Sequence, residues 1–252
     1  MPKKLAIAQE RNVPCTQCPL RALRIFRDFT PEELAFINGF KTAELTAKAG
    51  STLLLEGHNS AHLYTLLSGW AFRYKTLDDG RRQVLNFLLP GDFIGLQSST
   101  FNEMQHSVEA LTDVALCVFP RDGLWTLYAS HPGLGFDITW LASREEMIVD
   151  NHLLSVGRRT ALEKVAYLFL HLYRRARELR LAENGAVKLP LTQQHVADLL
   201  GMSLVHTNKT LKRLFERKLV RWRDRTLTIL DEKGLAELCG YELEGAAPRP
   251  LI

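Results

Sequence analysis

Apolar residues change their spacing twice along this chain, and each change predicts a different kind of structure. Thr30-Pro31-Glu32-Glu33, followed by Leu34, Phe36 and Ile37, has the form of a capped helix start with acids in its first turn. From Thr52 to about Phe119 short apolar or alternating runs take over: Leu53 to Leu55, Leu63 to Leu67, Trp70 to Tyr74, Val84 to Leu89 and Ala115 to Phe119. Gly57, Gly69, Gly80 and Gly91 punctuate them at intervals of 11 or 12 residues, and Asp78-Asp79-Gly80 reads as a hairpin turn. Short strands with regular turn signals predict a small jelly-roll-like β-barrel.

Between Pro132 and Arg159 the period becomes helical. Leu134, Leu141 and Ile148 recur every seven residues, as do Trp140, Met147 and Leu154, which predicts two adjacent apolar rows on one long helix. Such a helix either packs on its own barrel or pairs with a second copy. Because it joins two domains and has few neighbours, self-dimerisation through these six residues is the expectation. A second helical run, Ala161 to Glu178, closes on Arg174-Arg175-Ala176-Arg177, suited to a helix C-terminus, and Asn184-Gly185 marks a turn.

Residues 191–203 then read as a helix, a tight turn at Gly201 and a new N-cap at Ser203. Thr192 caps the first helix, and His195, Val196, Leu199 and Leu200 give it one apolar face. The second helix, from about Ser203 to about Lys218, carries Leu211, Leu214 and Phe215 inward, with Asn208, Lys209, Lys212 and Arg213 elsewhere. A cationic helix presented by a helix-turn-helix suits the major groove of duplex DNA. Leu219 to Ile229 alternates across a short turn, which predicts a hairpin wing whose Arg221, Arg223 and Arg225 lie on the sugar-phosphate backbone.

Charge supports the same partner. The whole chain carries +4, but residues 158–230 hold eleven Arg and five Lys against four Glu and two Asp, a net +10 that leaves −6 elsewhere. Localised positive charge favours a polyanion, because neutralised phosphates release condensed counterions. With 252 residues, 46% hydrophobic and 24% charged, the chain can form two modest cores without disulfide or metal support. No stretch approaches the roughly 18 to 20 apolar residues of a membrane span, and Met1-Pro2-Lys3-Lys4 does not open a signal peptide, so a cytoplasmic protein is expected. Four cysteines in such a protein leave free thiols, metal ligation or redox sensing open. Paired catalytic carboxylates, a nucleophile elbow, a phosphate-cradling glycine loop and an HExxH run are all lacking; His58 and His62 lie four apart in a strand-turn context. An enzyme is not expected. A ligand-binding regulatory subunit acting on another protein is the remaining class.

From Cys15 to about Tyr241 the order of these parts resembles the cyclic-AMP receptor protein/FNR superfamily of bacterial regulators. The resemblance rests on Gly91-Asp92-Phe93-Ile94-Gly95 in the barrel, the long helix, and Val196-Ala197-Asp198-Leu199-Leu200-Gly201 in the winged helix. It implies an α+β chain: a cysteine-bearing arm (1–29), a cyclic-nucleotide-binding-like jelly-roll barrel (30–131), a dimerisation helix (132–160), a winged helix-turn-helix (161–241) and a flexible tail (242–252). It also implies a homodimer on a near-palindromic operator, in contact with RNA polymerase.

Three departures qualify the resemblance. Asp92 stands where cyclic-nucleotide binders carry Glu, and no Lys or Arg occurs from Gln83 to Pro120, so cyclic AMP is not the expected effector. Val205 and Lys209 stand where the family commonly has Glu and Arg. Either Leu204 and Val205 meet thymine methyls while Asn208 and Lys209 bond purine edges, or Val205 packs on the first helix. Ser203 and His206 complete the helix contacts expected with DNA. Oxygen-sensing members hold a 4Fe-4S cluster on four cysteines. Here Cys15, Cys18 and Cys117 match that pattern, but Arg24 occupies the remaining arm position, and Cys239 lies in the DNA-binding module. A cluster on these three, a thiol switch or zinc site at Cys15 and Cys18, and inert cysteines are the alternatives.

Overall fold

A computed structural model describes residues 13–243 and 247–252; residues 1–12 of the expected arm and 244–246 of the expected tail lie outside the described residues. The chain divides into two units. One comprises residues up to Lys75, Phe87–Glu146 and Ala247–Ile252; the other comprises Thr76–Asn86 and the residues from Met147 to Ala246.

In the first unit two short 3-10 turns, Cys15–Gln17 and Pro19–Ala22, precede helix α1 (Pro31–Phe40). Thr30 caps α1 as its sequence predicts: the Thr30 hydroxyl accepts from Glu33 N–H at 3.2 Å, and the Glu33 carboxylate accepts from Thr30 N–H at 3.0 Å. Strands β1 (Ala43–Ala47), β2 (Thr52–Leu54), β3 (His62–Ser68), β4 (Ala71–Thr76), β5 (Arg82–Leu88) and β6 (Phe93–Ile94) follow. Helix α2 (Leu96–Phe101), strands β7 (Ser107–Ala110) and β8 (Val114–Pro120), and helix α3 (Leu124–Ser130) come next. They form two four-stranded sheets, ordered β1-β8-β3-β6 and β2-β7-β4-β5. The architecture is thus a jelly roll of two sheets; it is not closed into a barrel.

Both sheets contribute to one apolar cluster, with Leu66 and Leu116 from the first and Leu54, Leu88 and Val108 from the second. The first sheet is covered on its other face as well. Leu63, Cys117 and Phe119 join Ile37, Phe40, Leu127, Leu134, Ile138 and Ile252 there. Burial on both faces explains why β8, Val-Ala-Leu-Cys-Val-Phe-Pro, reads as a continuous apolar run.

Helix α4 (Pro132–Arg158) carries the six residues expected at a dimer interface. Leu134, Leu141 and Ile148 are only 0%, 5% and 3% exposed, so this row belongs to the protomer's own core. Trp140 is half-buried against the same cluster as Leu134 and Leu141. Met147 and Leu154 remain 55% and 48% exposed. The physical reason is angular: at about 100° per residue the two heptad rows stand about a third of a turn apart, so one faces inward while the other faces out. Phe136, 69% exposed, lies in line with the outward row, and Leu153, also 69% exposed, stands on the outward half of the helix about 100° from it.

The second unit continues with α5 (Ala161–Glu178), β9 (Ala182–Glu183), β10 (Ala186–Lys188), α6 (Gln193–Leu200), α7 (Leu204–Glu216), β11 (Val220–Arg223), β12 (Thr226–Ile229) and α8 (Glu232–Cys239). Its four strands form one sheet, ordered β11-β12-β10-β9, and the Asn184-Gly185 turn joins β9 to β10. The expected flexible tail differs at Ala247–Ile252. Arg249, Leu251 and Ile252 are 4%, 3% and 4% exposed, because an ion pair and an apolar cluster hold them in the first unit.

Candidate nucleic-acid interface

Helix α6 begins at Thr192, whose hydroxyl accepts from His195 N–H at 3.2 Å. His195 returns the bond, its Nδ1 accepting from Thr192 N–H at 3.1 Å, in the place a capping glutamate ordinarily takes. This requires a neutral imidazole. Burial, assisted by Arg82, holds His195 below its usual range. Within the same unit Arg82 donates to Asp198 of α6 at 3.0 and 3.1 Å, and Gln83 donates to the Leu199 carbonyl at 2.9 Å. These anchors lie more than a hundred residues away along the chain, so spacing gave no sign of them.

Gly201, at φ +62°, ends α6 in the left-handed conformation that glycine adopts without steric penalty. Two residues later Ser203 caps α7, accepting from His206 N–H at 3.2 Å. Val196, Leu199 and Leu200 on α6 and Leu211 and Leu214 on α7 are buried, and Phe215 is half-buried. The opposite side of α7 is open. Ser203, Leu204, Val205, His206, Asn208, Lys209, Lys212 and Arg213 are all exposed. Val205, Asn208, Lys209 and Lys212 follow the i, i+3, i+4, i+7 spacing of one helix face. Val205 is 64% exposed, which excludes its packing on the first helix and leaves its methyls available to a ligand.

The wing pairs Arg221 with Thr228 and Arg223 with Thr226. Strand alternation turns Trp222 inward, where its ring meets Phe169 edge-on at 5.2 Å, and leaves Arg221 and Arg223 exposed on the other face. Asp224 and Arg225 at the tip have φ of +50° and +57°, a two-residue turn of the type that matches strand twist. Arg225 is exposed as well. Not all of the local positive charge is available to a partner. Arg177 pairs with Glu232 at 2.7 Å, Arg174 reaches Glu232 at 3.5 Å, and Arg175 is only 5% exposed. The exposed cations include Lys209, Lys212 and Arg213 of α7 and Arg221, Arg223 and Arg225 of the wing.

The cysteines expected to act together do meet. Cys15, Cys18 and Cys117 line one crevice of about 20 Å³ with Lys41 and Glu44. That volume is on the scale of a single water molecule. Cys15 and Cys117 are 7% and 8% exposed, and burial pushes both thiols up, Cys117 to about 12. Lys41 bonds Glu44 at 2.6 Å and the Val13 carbonyl at 2.7 Å, so a buried cation sits beside the sulfurs. Among the described residues no group of three or more His, Cys, Asp or Glu side chains is gathered closely enough to hold a metal ion. As packed, this site does not fit a 4Fe-4S cluster. Cys239 lies apart in α8, its thiol donating to the Leu235 carbonyl at 3.1 Å.

Two families match the chain: the cyclic nucleotide-binding domain over residues 44–131 and the Crp-like helix-turn-helix domain over residues 163–238. The nitrogen fixation regulation protein FixK of Bradyrhizobium diazoefficiens is 32% identical over 79% of this chain and 83% of its own. The transcriptional activator protein FnrL of Cereibacter sphaeroides is 29% identical over 93% of this chain and 95% of its own. The solved structure of FixK2 from Bradyrhizobium japonicum superposes with a TM-score of 0.71 at 26% identity, covering 77% of this chain and 96% of that one.

Proposed function

The chain belongs to the Crp/FNR superfamily of DNA-binding transcriptional regulators, not to an enzyme family, and from that premise we propose that it binds a near-palindromic operator as a homodimer. The observation that carries the reading is the outward face of α7, where Val205, Asn208, Lys209 and Lys212 stand together above a buried apolar base. Leu204 and Val205 meet thymine methyls, Asn208 and Lys209 bond purine edges, and Ser203, His206 and Lys212 flank them. Arg221, Arg223 and Arg225 hold the backbone and set the register. Met147, Leu153 and Leu154, with Phe136, supply the apolar contact between protomers. Relatives named as activators support contact with RNA polymerase, and no described helix is long and apolar enough to cross a membrane, in keeping with work in the cytoplasm.

We propose signal input at the crevice that Cys15, Cys18 and Cys117 line, a reading supported by their meeting there. Chemistry at the half-buried Cys18 thiol displaces the arm from the sheet. The test of the main reading is Lys209→Ala. It is expected to weaken binding to the cognate duplex by about 1 to 3 kcal/mol and to relax sequence preference. An equal loss on matched and scrambled duplexes would move Lys209 to phosphate and overturn the base-reading assignment.

A further inference from the structure

An arginine at 4% exposure needs a charged partner, and Arg249 has one in Asp92, itself 1% exposed. Its guanidinium donates to Asp92 Oδ1 at 2.9 Å and to the Pro90 carbonyl at 3.0 Å, and it lies over the Phe26 ring at 4.7 Å. The backbone is recognised as well. Arg249 N–H donates to the Ile25 carbonyl at 2.7 Å, and Arg27 N–H donates to the Arg249 carbonyl at 2.9 Å, making a parallel bridge between Arg249 and Phe26. Two residues on, the Leu251 carbonyl accepts from Arg21 at 3.0 Å, and the Ile252 carbonyl accepts from the Thr65 hydroxyl. The Ile252 side chain enters the apolar cluster that contains Cys15 and Cys117.

Gly91 makes room for this arrangement. It has φ +85°, and a Cβ there would stand 2.4 Å from Phe26 Cζ and 3.2 Å from Arg249 Nη2. Main-chain bonds to an extended strand, a charged slot for one side chain and an apolar slot for another are the means by which domains recognise peptides. The seat also tolerates being emptied. Without Arg249, Asp92 still accepts from Leu89 N–H at 2.8 Å and from Arg144 of α4 at 3.4 Å, so no buried charge is stranded.

We infer that the first unit carries a peptide-binding site for an Arg-Pro-Leu-Ile segment, occupied by the chain's own residues 249–252, and that this occupancy fastens the arm at residues 21–27 to the sheet. Because Arg249 and Arg144 share the Asp92 carboxylate, departure of the segment changes the charge that Arg144 meets and so is felt by α4.

The test replaces residues 244–246 by a protease recognition sequence in the full chain, which is cut after purification. The released segment is expected to stay with the protein through gel filtration and to be displaced by excess synthetic peptide Ala-Pro-Arg-Pro-Leu-Ile. A peptide with alanine for the arginine is expected to compete about tenfold less well or worse, the worth of one buried charge-assisted hydrogen bond. Immediate loss of the segment, or equal competition by the two peptides, would overturn the inference. Hydrogen exchange on the uncut chain provides a second readout. The amides of Arg27 and Arg249 are expected to be protected together, and Arg249→Ala to release both while β3 and β8 stay protected. Free-peptide exchange at Arg249 in the parent, or loss of β3 and β8 protection in the variant, would show that the segment is not a bound ligand. None of these measurements uses DNA, so they stand or fall apart from the regulator reading.

Discussion

Replacing Arg221 and Arg223 together by glutamine tests where the wing lies. The two side chains share the exposed face of β11, and glutamine keeps much of the aliphatic stem, so Trp222 is expected to remain on Phe169 and the hairpin to persist. Each cation that neutralises a phosphate steepens the dependence of log K on log salt by about 0.9 on duplex DNA. Two arginines on each of two protomers therefore account for a slope of about 3.6, and the doubly substituted protein should be shallower by that amount. Between about 50 and 200 mM salt the parent should lose roughly a hundredfold more affinity than the variant.

Fluorescence anisotropy on a duplex selected from genomic fragments, titrated at several salt concentrations, reads the slope directly. A scrambled duplex run in parallel reads specificity. Phosphate contacts carry no base information, so the ratio of the two affinities at fixed salt should hold while both fall. An unchanged slope would remove the wing from the backbone. A change of only about 1.8 would mean that two of the four arginines meet phosphate, which refutes the assignment of both side chains on both protomers to the backbone.

If protomers meet through the outward side of α4, as proposed, Leu153→Glu should shift the protein to monomer in sedimentation with the fold retained, whereas Leu141→Glu in the core should unfold it. Unchanged mass in the Leu153 variant would refute the interface. In the native protein alkylation should reach the half-buried Cys18 well before Cys15 and Cys117, and anaerobic treatment with iron and sulfide should yield no broad visible absorption. Absorption that is lost in Cys15→Ala would show that the arm opens to admit a cluster. Burial, with Arg73 and Lys75 nearby, pushes His106 down to about 3. The unfolded chain takes up this proton near pH 6.5 and the folded chain does not, so stability falls as pH drops below about 6.5, by up to about 1.4 kcal/mol per unit from this group. His106→Gln should flatten a urea-midpoint profile over that range, and an unchanged profile would refute the assignment.

Elements governed by local rules are legible in the sequence itself. Thr30, Thr160 and Thr192 are each followed three residues later by a side chain able to return the capping bond, and each opens a helix. Gly201 and Ser203 mark the turn and the new start between α6 and α7 because backbone handedness and an orphan N–H demand those residue types there. Strands with weak local signals are not legible in this way. β1, Ala-Glu-Leu-Thr-Ala, has little β-propensity, and it is held by its pairing with β8, some seventy residues away. The heptad spacing on α4 was visible, but spacing alone does not say which row faces home. That depends on α1, α3 and β8 supplying the apolar surface that Leu134 and Leu141 enter.

The same distinction divides the sites. The residues proposed to face DNA are contiguous on one helix and one hairpin, so periodicity gathers them on exposed faces. The cations around Asp92 are not: Arg144 lies 52 positions away and Arg249 lies 157 away. Gln83 to Pro120 carries no Lys or Arg, yet the charge at Asp92 is met by Arg144 of a helix and by Arg249 of the segment 249–252. The charge balance at Asp92 is therefore set by tertiary contacts and not by its own segment. Here the carboxylate at the position where cyclic-nucleotide binders carry Glu is buried against the chain's own Arg249, an arrangement that reading residues 83–120 alone does not disclose.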